Sequence, residues 1–229
     1  MQDIPGRAIA DFHFNTTPKK LWVHDEHGPK VEMPVITYFR TKGNLPVLEE
    51  IALAECRGTV LDVGAGAGSH ALILQEKNIE VTALEISPLA ASVMKDRGVR
   101  QIVNQDIFTY SGKTFDTILL LMNGIGLAGT VNGLRKLLAH FGTLLKPGGQ
   151  LIFDSSDVAY LYEQGVPQTG PYYGEVICCY EYKNKKTGWF SWLYIDQQTL
   201  TQIATEEGWH CTLLFEDGDD QYLVRLVRL

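Results

Sequence analysis

From Thr59 to Asp157 the sequence alternates short apolar runs with longer segments in which apolar residues recur every three or four positions. The apolar runs that predict strands are 59–64, 79–85, 100–105, 115–123 and 150–154. The helical segments between them are 67–77, 88–97 and 131–141. Strands that alternate with helices pair in parallel and are covered on both faces, so this pattern predicts an α/β fold with a doubly wound, mostly parallel sheet.

The sequence on either side of this core has a different pattern. Residues 21–39 predict two extended segments around a Gly-Pro turn, and residues 45–55 predict a helix. Residues 174–182 and 188–195 predict an aromatic β-hairpin, and a helix over 197–207 precedes an antiparallel strand pair. We therefore expect a single domain in four parts: an N-terminal extension with the first helix (1–57), the core (58–157), an inserted hairpin lid (158–196), and a C-terminal helix and strand pair that complete the sheet (197–229).

Composition and charge limit the classes of partner. The 229 residues are 45% hydrophobic and carry a formal net charge of −7. A chain of this size can bury a full core, and the acidic balance argues against extensive contacts with a nucleic-acid backbone. The N-terminal residues lack the sections of a signal peptide, and no apolar run is long enough to span a bilayer. We therefore expect a cytoplasmic protein with neither a membrane nor a nucleic acid as its partner.

The run VLDVGAGAGSH, Val60 to His70, carries the most specific signal. A buried strand leads into Gly64, Gly66 and Gly68, which permit a tight turn and the close approach of a ligand before the next helix begins. This arrangement predicts a nucleotide-binding turn. The dinucleotide fingerprint G-x-G-x-x-G is not matched, because Ser69 stands three positions after Gly66. An NAD-dependent oxidoreductase is therefore the less favoured alternative.

The order Asp62, Gly64, Gly66, Gly68 resembles the first motif of the class I S-adenosylmethionine-dependent methyltransferases. Further features follow in the order of that family over residues 59–157. The resemblance implies a Rossmann-like sheet of seven strands that ends in an antiparallel C-terminal hairpin, and it implies S-adenosylmethionine as the cofactor. The cofactor-binding residues that it implies are Asp62, Gly64, Ala65, Gly66, Gly68, Glu85, Ile86, Asp106, Ile107 and Met122.

The same resemblance implies a role for each acid of this pocket. Glu85 would accept hydrogen bonds from the ribose hydroxyls, and Asp62 or its network would favour the ammonium group of the donor. Asp106 would accept a hydrogen bond from the adenine amino group. Ile86 and Ile107 would pack on the adenine ring, and N–H groups of the glycine turn would meet polar atoms of the donor.

Met122 and Asn123 match the family's fourth motif, whose residues line the gap between the methyl donor and the acceptor. Asn123 is therefore our first catalytic candidate. Gly124-Ile125-Gly126 replaces the Pro-Pro-Tyr that is typical of methyltransferases acting on nucleobase amines, so this acceptor class loses support. The glycines could contact the acceptor, or they could simply let the chain turn close to the cofactor.

Methyl transfer from a sulfonium is an in-line displacement that depends chiefly on alignment of the two reactants. We expect a small-molecule acceptor, and a non-catalytic donor-binding regulatory module is the alternative. Asp154, which ends the fifth predicted strand of the core, is the second catalytic candidate because it could polarise or deprotonate an acceptor. Alternatively, Ser155, Ser156 or Asp157 caps a following short helix. His70 could face the donor or only pack beside it.

The aromatic stretch after the core supplies the candidates for a substrate lid. Aromatic side chains can hold a planar or cationic acceptor, although a hairpin can also pack its own face with them. The lid candidates are Tyr172, Tyr173, Trp189 and Trp192.

Two further sequence features predict no metal site. The motif HDEH, residues 24–27, has imidazoles flanking carboxylates, but it lies in a predicted hairpin turn, where the side chains do not converge by themselves. The four cysteines match neither a zinc-site spacing nor a disulfide framework, so we expect reduced thiols. They are Cys56, Cys178, Cys179 and Cys211.

Overall fold

The computed structural model describes residues 3–218 and 220–229. Its α-helices are α1 (Ile4–His13), α2 (Val47–Glu55), α3 (Ser69–Glu76), α4 (Pro88–Asp96), α5 (Val131–Leu144) and α6 (Gln197–Glu206). Its strands are β1 (Leu21–Asp25), β2 (Val31–Met33), β3 (Val60–Val63), β4 (Val81–Leu84), β5 (Ile102–Val103), β6 (Phe115–Leu120), β7 (Leu145–Ser156), β8 (Glu175–Tyr182), β9 (Lys185–Lys186), β10 (Phe190–Leu193), β11 (Trp209–Glu216) and β12 (Gln221–Arg228).

The alternating apolar runs form a seven-stranded sheet with the strand order β11-β12-β7-β6-β3-β4-β5. The pairs β4–β5 and β6–β7 are parallel, whereas β12 runs antiparallel to both β7 and β11. Every residue of β3 and β4 is buried, as expected for strands that are covered on both faces. The predicted α/β fold, with its antiparallel C-terminal hairpin, is confirmed.

The N-terminal extension contains a helix that the sequence did not reveal. Asp3 caps α1 by accepting a hydrogen bond from the Gly6 N–H at 3.0 Å, and Pro5 stands in the first turn. The prediction of an extended segment up to Phe39 is wrong at its end, because Val35–Phe39 forms a 3₁₀ helix. Pro34, with a φ of −64°, precedes this turn and accepts a hydrogen bond from the Thr37 N–H.

The inserted hairpin pairs with the N-terminal extension, a contact that the sequence did not predict. β8 and β9 pair around Lys183 and Asn184, whose φ angles of 48° and 62° suit a tight hairpin turn. However, β8 also pairs with β1, in a register that places Val23 opposite Tyr180. This pairing satisfies backbone groups that an isolated strand would leave exposed along that edge.

The chain divides into two compact units. The first unit comprises Met1–Leu45, Leu61–Tyr110 and Ile177–Phe190, and thus unites the extension up to Leu45, the glycine turn and the β8–β9 hairpin. The second unit comprises Pro46–Val60, Ser111–Val176 and Ser191–Leu229. No helix within the described ranges is long and apolar enough to cross a membrane.

Candidate functional site

The glycine turn has the backbone conformation that the sequence predicted. Gly64, Gly66 and Gly68 have φ angles of 71°, 56° and 80°, a region that other residues enter at a cost. Gly68 is also required by space, because a Cβ there would lie 2.7 Å from Val99 Cγ2. This close packing joins the start of α3 to the end of α4.

The N–H groups of the turn are used within the protein, contrary to the expectation that they are left for a ligand. Gly64 and Ala65 donate to the Leu84 carbonyl oxygen at 2.9 and 3.1 Å, and Gly68 donates to Ala65. The Gly66 N–H donates to Glu85 Oε2 at 2.8 Å. The turn therefore folds back onto the end of β4, and its glycines permit the positive φ angles that this path requires.

Glu85 follows β4 and bridges two loops. Its Oε2 accepts from the Gly66 N–H, and its Oε1 accepts from the Ser87 N–H at 2.8 Å. Glu85 is 9% exposed, and burial is the main reason that its pKa is raised, whereas these hydrogen bonds lower it. Glu85 thus lies beside the glycine turn, as its predicted role in donor binding requires.

Asp62 lies on β3 and is 2% exposed. Its Oδ2 has no hydrogen-bond partner among the residues that the structure describes. Burial raises the pKa of Asp62 to about 6, whereas the nearby His70 and a hydrogen bond from the Ala71 backbone lower it. A buried oxygen without a partner costs free energy, so it indicates a site for a ligand that can donate a hydrogen bond.

The next predicted pocket residues follow β5. Asp106 caps a 3₁₀ turn, Ile107–Thr109, by accepting from the Phe108 N–H at 3.0 Å. Ile86 is 64% exposed, but Ile107 is buried at 5%. The neighbouring Phe108 is 46% exposed, and sequence reasoning missed it. The sequence signal that could have identified Phe108 is an aromatic residue two positions after Asp106.

The second unit holds a strained turn directly after β6. Met122 and Asn123 have φ angles of 60° and 55°, an unusual conformation for two consecutive residues other than glycine. The Asn123 N–H donates to both carboxylate oxygens of Asp154, at 3.0 and 2.9 Å. The Gln221 side chain donates to Asp154 Oδ2 at 3.0 Å. Asp154 is 1% exposed, and burial raises its pKa to about 6.

The side chain of Asn123 is held from another direction. Its Nδ2 donates to the Leu193 carbonyl oxygen at 3.3 Å, and its buried Oδ1 has no partner within the described ranges. Trp192 packs against the same turn, because a Cβ on Gly126 would lie 2.0 Å from Trp192 Nε1. Gly126 is therefore required by this contact. The structure thus brings Asn123, Asp154 and Trp192 to one turn.

The other lid candidates make different contacts. The Tyr172 hydroxyl donates to Asp196 Oδ2 at 2.6 Å, and the Tyr173 hydroxyl donates to Asp157 Oδ1 at 2.7 Å. Both hydroxyls therefore anchor the insertion to the ends of neighbouring elements. Trp189 belongs to the first unit and is 60% exposed.

The HDEH motif forms contacts of its own. His24 Nε2 lies 2.7 Å from Glu181 Oε2, and Asp25 Oδ1 accepts from the His27 N–H at 2.8 Å. Within residues 3–218 and 220–229, no group of three or more histidine, cysteine, aspartate or glutamate side chains is placed to hold a metal ion.

Comparison with known proteins identifies the family. The family model described as a methyltransferase domain matches residues 37–214. The crystal structure of an S-adenosylmethionine-dependent methyltransferase from Bacteroides fragilis, in complex with S-adenosyl-L-homocysteine, is 41% identical. The match covers 99% of this chain and 94% of that chain, with a TM-score of 0.91.

More distant proteins share less. A demethylmenaquinone methyltransferase of Tropheryma whipplei is 30% identical over 99 residues, which are 41% of this chain and only 39% of that relative's length. An S-adenosylmethionine-dependent methyltransferase from Clostridium acetobutylicum has a TM-score of 0.59 at 14% identity, over 82% of this chain and 94% of that chain, and shows the shared fold alone. The chain therefore belongs to the class I S-adenosylmethionine-dependent methyltransferases, and the resemblance predicted from its glycine turn is confirmed.

Proposed function

We propose that this enzyme transfers a methyl group from S-adenosylmethionine to a small-molecule acceptor, with the donor held by the glycine turn, Asp62 and Glu85. The main support for this donor site is that two buried acidic residues, Asp62 and Glu85, lie next to that turn. Asp62 Oδ2 has no hydrogen-bond partner among the described residues. The methyl group of S-adenosylmethionine is bonded to a positively charged sulfur. When the acceptor takes the methyl group, the sulfur keeps the bonding electron pair and becomes the neutral thioether of S-adenosylhomocysteine.

The residues of the first unit fit this donor chemically. The ammonium group of S-adenosylmethionine is a positively charged hydrogen-bond donor. Asp62 Oδ2 is a buried acceptor without a hydrogen-bond partner among the described residues, so it suits this group. The hydroxyls of a ribose can donate hydrogen bonds to the Glu85 carboxylate. These bonds would be weaker to the neutral amide of a glutamine at this position. The exposed side chains of Ile86 and Phe108 offer apolar surface for a purine ring. Asp106 and Ile107 keep their predicted adenine contacts as part of this proposal.

The acceptor-side roles fall to the turn after β6. Asn123 is the residue that we propose to touch the acceptor, because its Oδ1 is without a partner in the described part of the chain. Asp154 holds the Asn123 backbone, so we propose that it positions Asn123 rather than removing a proton itself. Alignment of the acceptor then supplies much of the rate acceleration.

A small-molecule acceptor is supported by the charge of the chain. The net charge of −7 is opposite to the basic footprint that a nucleic-acid acceptor needs. Trp192 lies at the same turn as Asn123, and an indole beside the reacting group can pack on a planar or cationic molecule. Methylation of a macromolecule is the competing outcome.

The test uses the purified chain with S-adenosylmethionine labelled on the methyl group. Fractions of small metabolites, total RNA and total protein serve as separate acceptors, and both the labelled product and S-adenosylhomocysteine are measured. We expect label in a small-molecule fraction, with lower incorporation by Asn123→Gly. Labelled RNA or protein would overturn the acceptor class. Tight donor binding without product in any fraction would favour a regulatory donor-binding module.

A further inference from the structure

The N-terminal extension up to Leu45 lies in the first unit and packs directly onto the part that carries the proposed donor site. Ile4, Ala8 and Ile9 of α1 form a buried cluster with Ala67 of the glycine turn and with Val93 of α4. The cluster also contains apolar residues from β1, the 3₁₀ helix and β8. This portion of the extension therefore shares the apolar core of the first unit.

Polar contacts tie the extension to the residues around Glu85. Ser87 Oγ donates to Asp3 Oδ2 at 2.7 Å, while the Ser87 N–H donates to Glu85 Oε1 at 2.8 Å. Ser69 Oγ donates to the Tyr38 carbonyl oxygen at 2.7 Å. The extension is thus linked to both loops that Glu85 bridges.

Arg97 at the end of α4 adds a third link. Its guanidinium donates to the Ala67 carbonyl oxygen at 2.6 Å and to Ser69 Oγ at 3.2 Å. The same guanidinium lies 5.0 Å from the centre of the Phe39 ring, within the range of a cation–π interaction. This side chain therefore holds the 3₁₀ helix against the glycine turn.

Tyr38 is the residue of the extension that faces the turn. A Cβ on Gly66 would lie 3.0 Å from Tyr38 Cδ1, so the ring packs against the second glycine. The Tyr38 hydroxyl donates to Met33 Sδ at 3.4 Å, and a thioether is a weak acceptor. Burial and the nearby Glu85 carboxylate raise the pKa of Tyr38, so its hydroxyl stays protonated and able to donate.

Helix α1, at the beginning of the extension, is anchored as well. Asp11 on α1 is 2% exposed and accepts hydrogen bonds from Lys183 Nζ at 2.6 Å, Thr16 Oγ1 at 2.8 Å and the Tyr182 hydroxyl at 3.1 Å. These contacts tie α1 to the β8–β9 hairpin. Tyr38 is therefore carried by a segment that is fixed on both sides, which lowers the entropic cost of using it to bind a ligand.

We propose that the N-terminal extension forms a wall of the donor site, and that Tyr38 contacts bound S-adenosylmethionine with its ring and donates a hydrogen bond to it. This inference rests on the proposed function, since it requires the donor to lie beside Gly66 and Glu85. On binding, the Tyr38 hydroxyl exchanges the weak acceptor Met33 Sδ for an oxygen atom of S-adenosylmethionine. The Tyr38 ring covers the ligand on the side of the glycine turn.

The experiment measures the affinity of S-adenosylhomocysteine by titration calorimetry for the full chain and its variants. We expect Tyr38→Phe to weaken binding about 3- to 10-fold, since one neutral hydrogen bond is lost. Tyr38→Ala also removes the ring contact, and we expect a loss on the order of 30-fold. The control is Tyr160→Phe, which alters an exposed tyrosine of the second unit and leaves binding unchanged.

Hydrogen exchange provides a second readout that does not depend on folding of the alanine variant. We expect S-adenosylhomocysteine to slow amide exchange in residues 35–41 of the unmodified chain, and to slow it less in Tyr38→Phe. Unchanged affinity in both Tyr38 variants, without protection of residues 35–41, would overturn the wall while leaving the proposed function intact. Failure of the unmodified chain to bind either form of the cofactor would instead refute the proposed function.

Discussion

The backbone N–H of Asn123 donates to both carboxylate oxygens of Asp154, at 3.0 and 2.9 Å. This contact joins the end of β7 to a turn whose two residues have positive φ angles. Such conformations persist when the surrounding structure holds them, and they concentrate at functional sites. The pair therefore explains how a proposed acceptor-binding residue is kept in one place.

Replacement of Asp154 should separate positioning from donor binding. In Asp154→Ala the Asn123 N–H loses its acceptors, and we expect turnover to fall on the order of 100-fold, while the donor dissociation constant changes less than about 3-fold. Asp154→Asn keeps one acceptor oxygen and should retain more turnover than the alanine variant. Equal turnover in both variants and in the unmodified chain would remove Asp154 from the positioning role.

The amide of Asn123 can be tested apart from its backbone conformation. Asn123→Gly removes the side chain but tolerates the left-handed conformation, whereas Asn123→Ala adds strain of about 1 kcal/mol. We expect both variants to lose turnover more than donor affinity, and only the alanine variant to lose thermal stability from strain. Full activity of Asn123→Gly would show that the amide is dispensable.

Gly126 and Trp192 should be coupled. A methyl group at Gly126 would lie 2.0 Å from Trp192 Nε1, so Gly126→Ala must displace the indole. We expect Gly126→Ala to lower the free energy of unfolding by about 1–3 kcal/mol and to raise KM for the acceptor. In the Trp192→Ala background the same change should cost much less, as a double-mutant cycle of denaturant melts would measure. Additive effects would contradict the contact.

Asp62 gives a pH-dependent prediction. The folded-state pKa of about 6 is above the ordinary value of 3.8, so the folded chain binds a proton at this site more readily than the unfolded chain. The contribution of Asp62 to the free energy of unfolding therefore falls as pH rises from about 4 to about 6, by about 3 kcal/mol in total, and is constant above that window.

Asp62→Asn should lack this pH dependence. We expect its free energy of unfolding to exceed that of the unmodified chain by more at pH 7.5 than at pH 4, as measured by urea denaturation. The affinity of the unmodified chain for S-adenosylmethionine should rise with pH, because the Asp62 carboxylate binds the ammonium group more strongly than the protonated acid does. The affinity of Asp62→Asn should not rise in this way. Parallel pH curves for the two proteins would contradict the buried, unpartnered carboxyl.

The sequence predicted the elements that local periodicity determines. The apolar strands, the glycine turn and the acidic residues after β4 and β5 lie where the pattern placed them. The extension was harder to predict, because α1 gains its stability from packing Ile4 and Ile9 against α4, a contact between distant parts of the chain. The pairing of β8 with β1 is equally non-local, and neither segment alone specifies its partner strand.

The site shows the same division. The residue types of the proposed donor site followed from a short motif, but the hydrogen bonds from the turn N–H groups to Leu84 and Glu85 did not. The contact between Asp154 and the Asn123 backbone required the relative placement of two strand ends. Tyr38 was missed because its contact with Gly66 depends on the path of the whole extension.

The most direct test of donor binding is a calorimetric titration of the purified chain with S-adenosylmethionine, S-adenosylhomocysteine and NAD. We predict one site per chain for the first two ligands and no detectable binding of NAD. Glu85→Gln should weaken both methionine-derived ligands about 10- to 100-fold, because hydrogen bonds to a charged group are lost, while the surface control Glu76→Gln should bind normally. Tight binding of NAD, or equal affinities for the unmodified chain and Glu85→Gln, would contradict the proposed donor site.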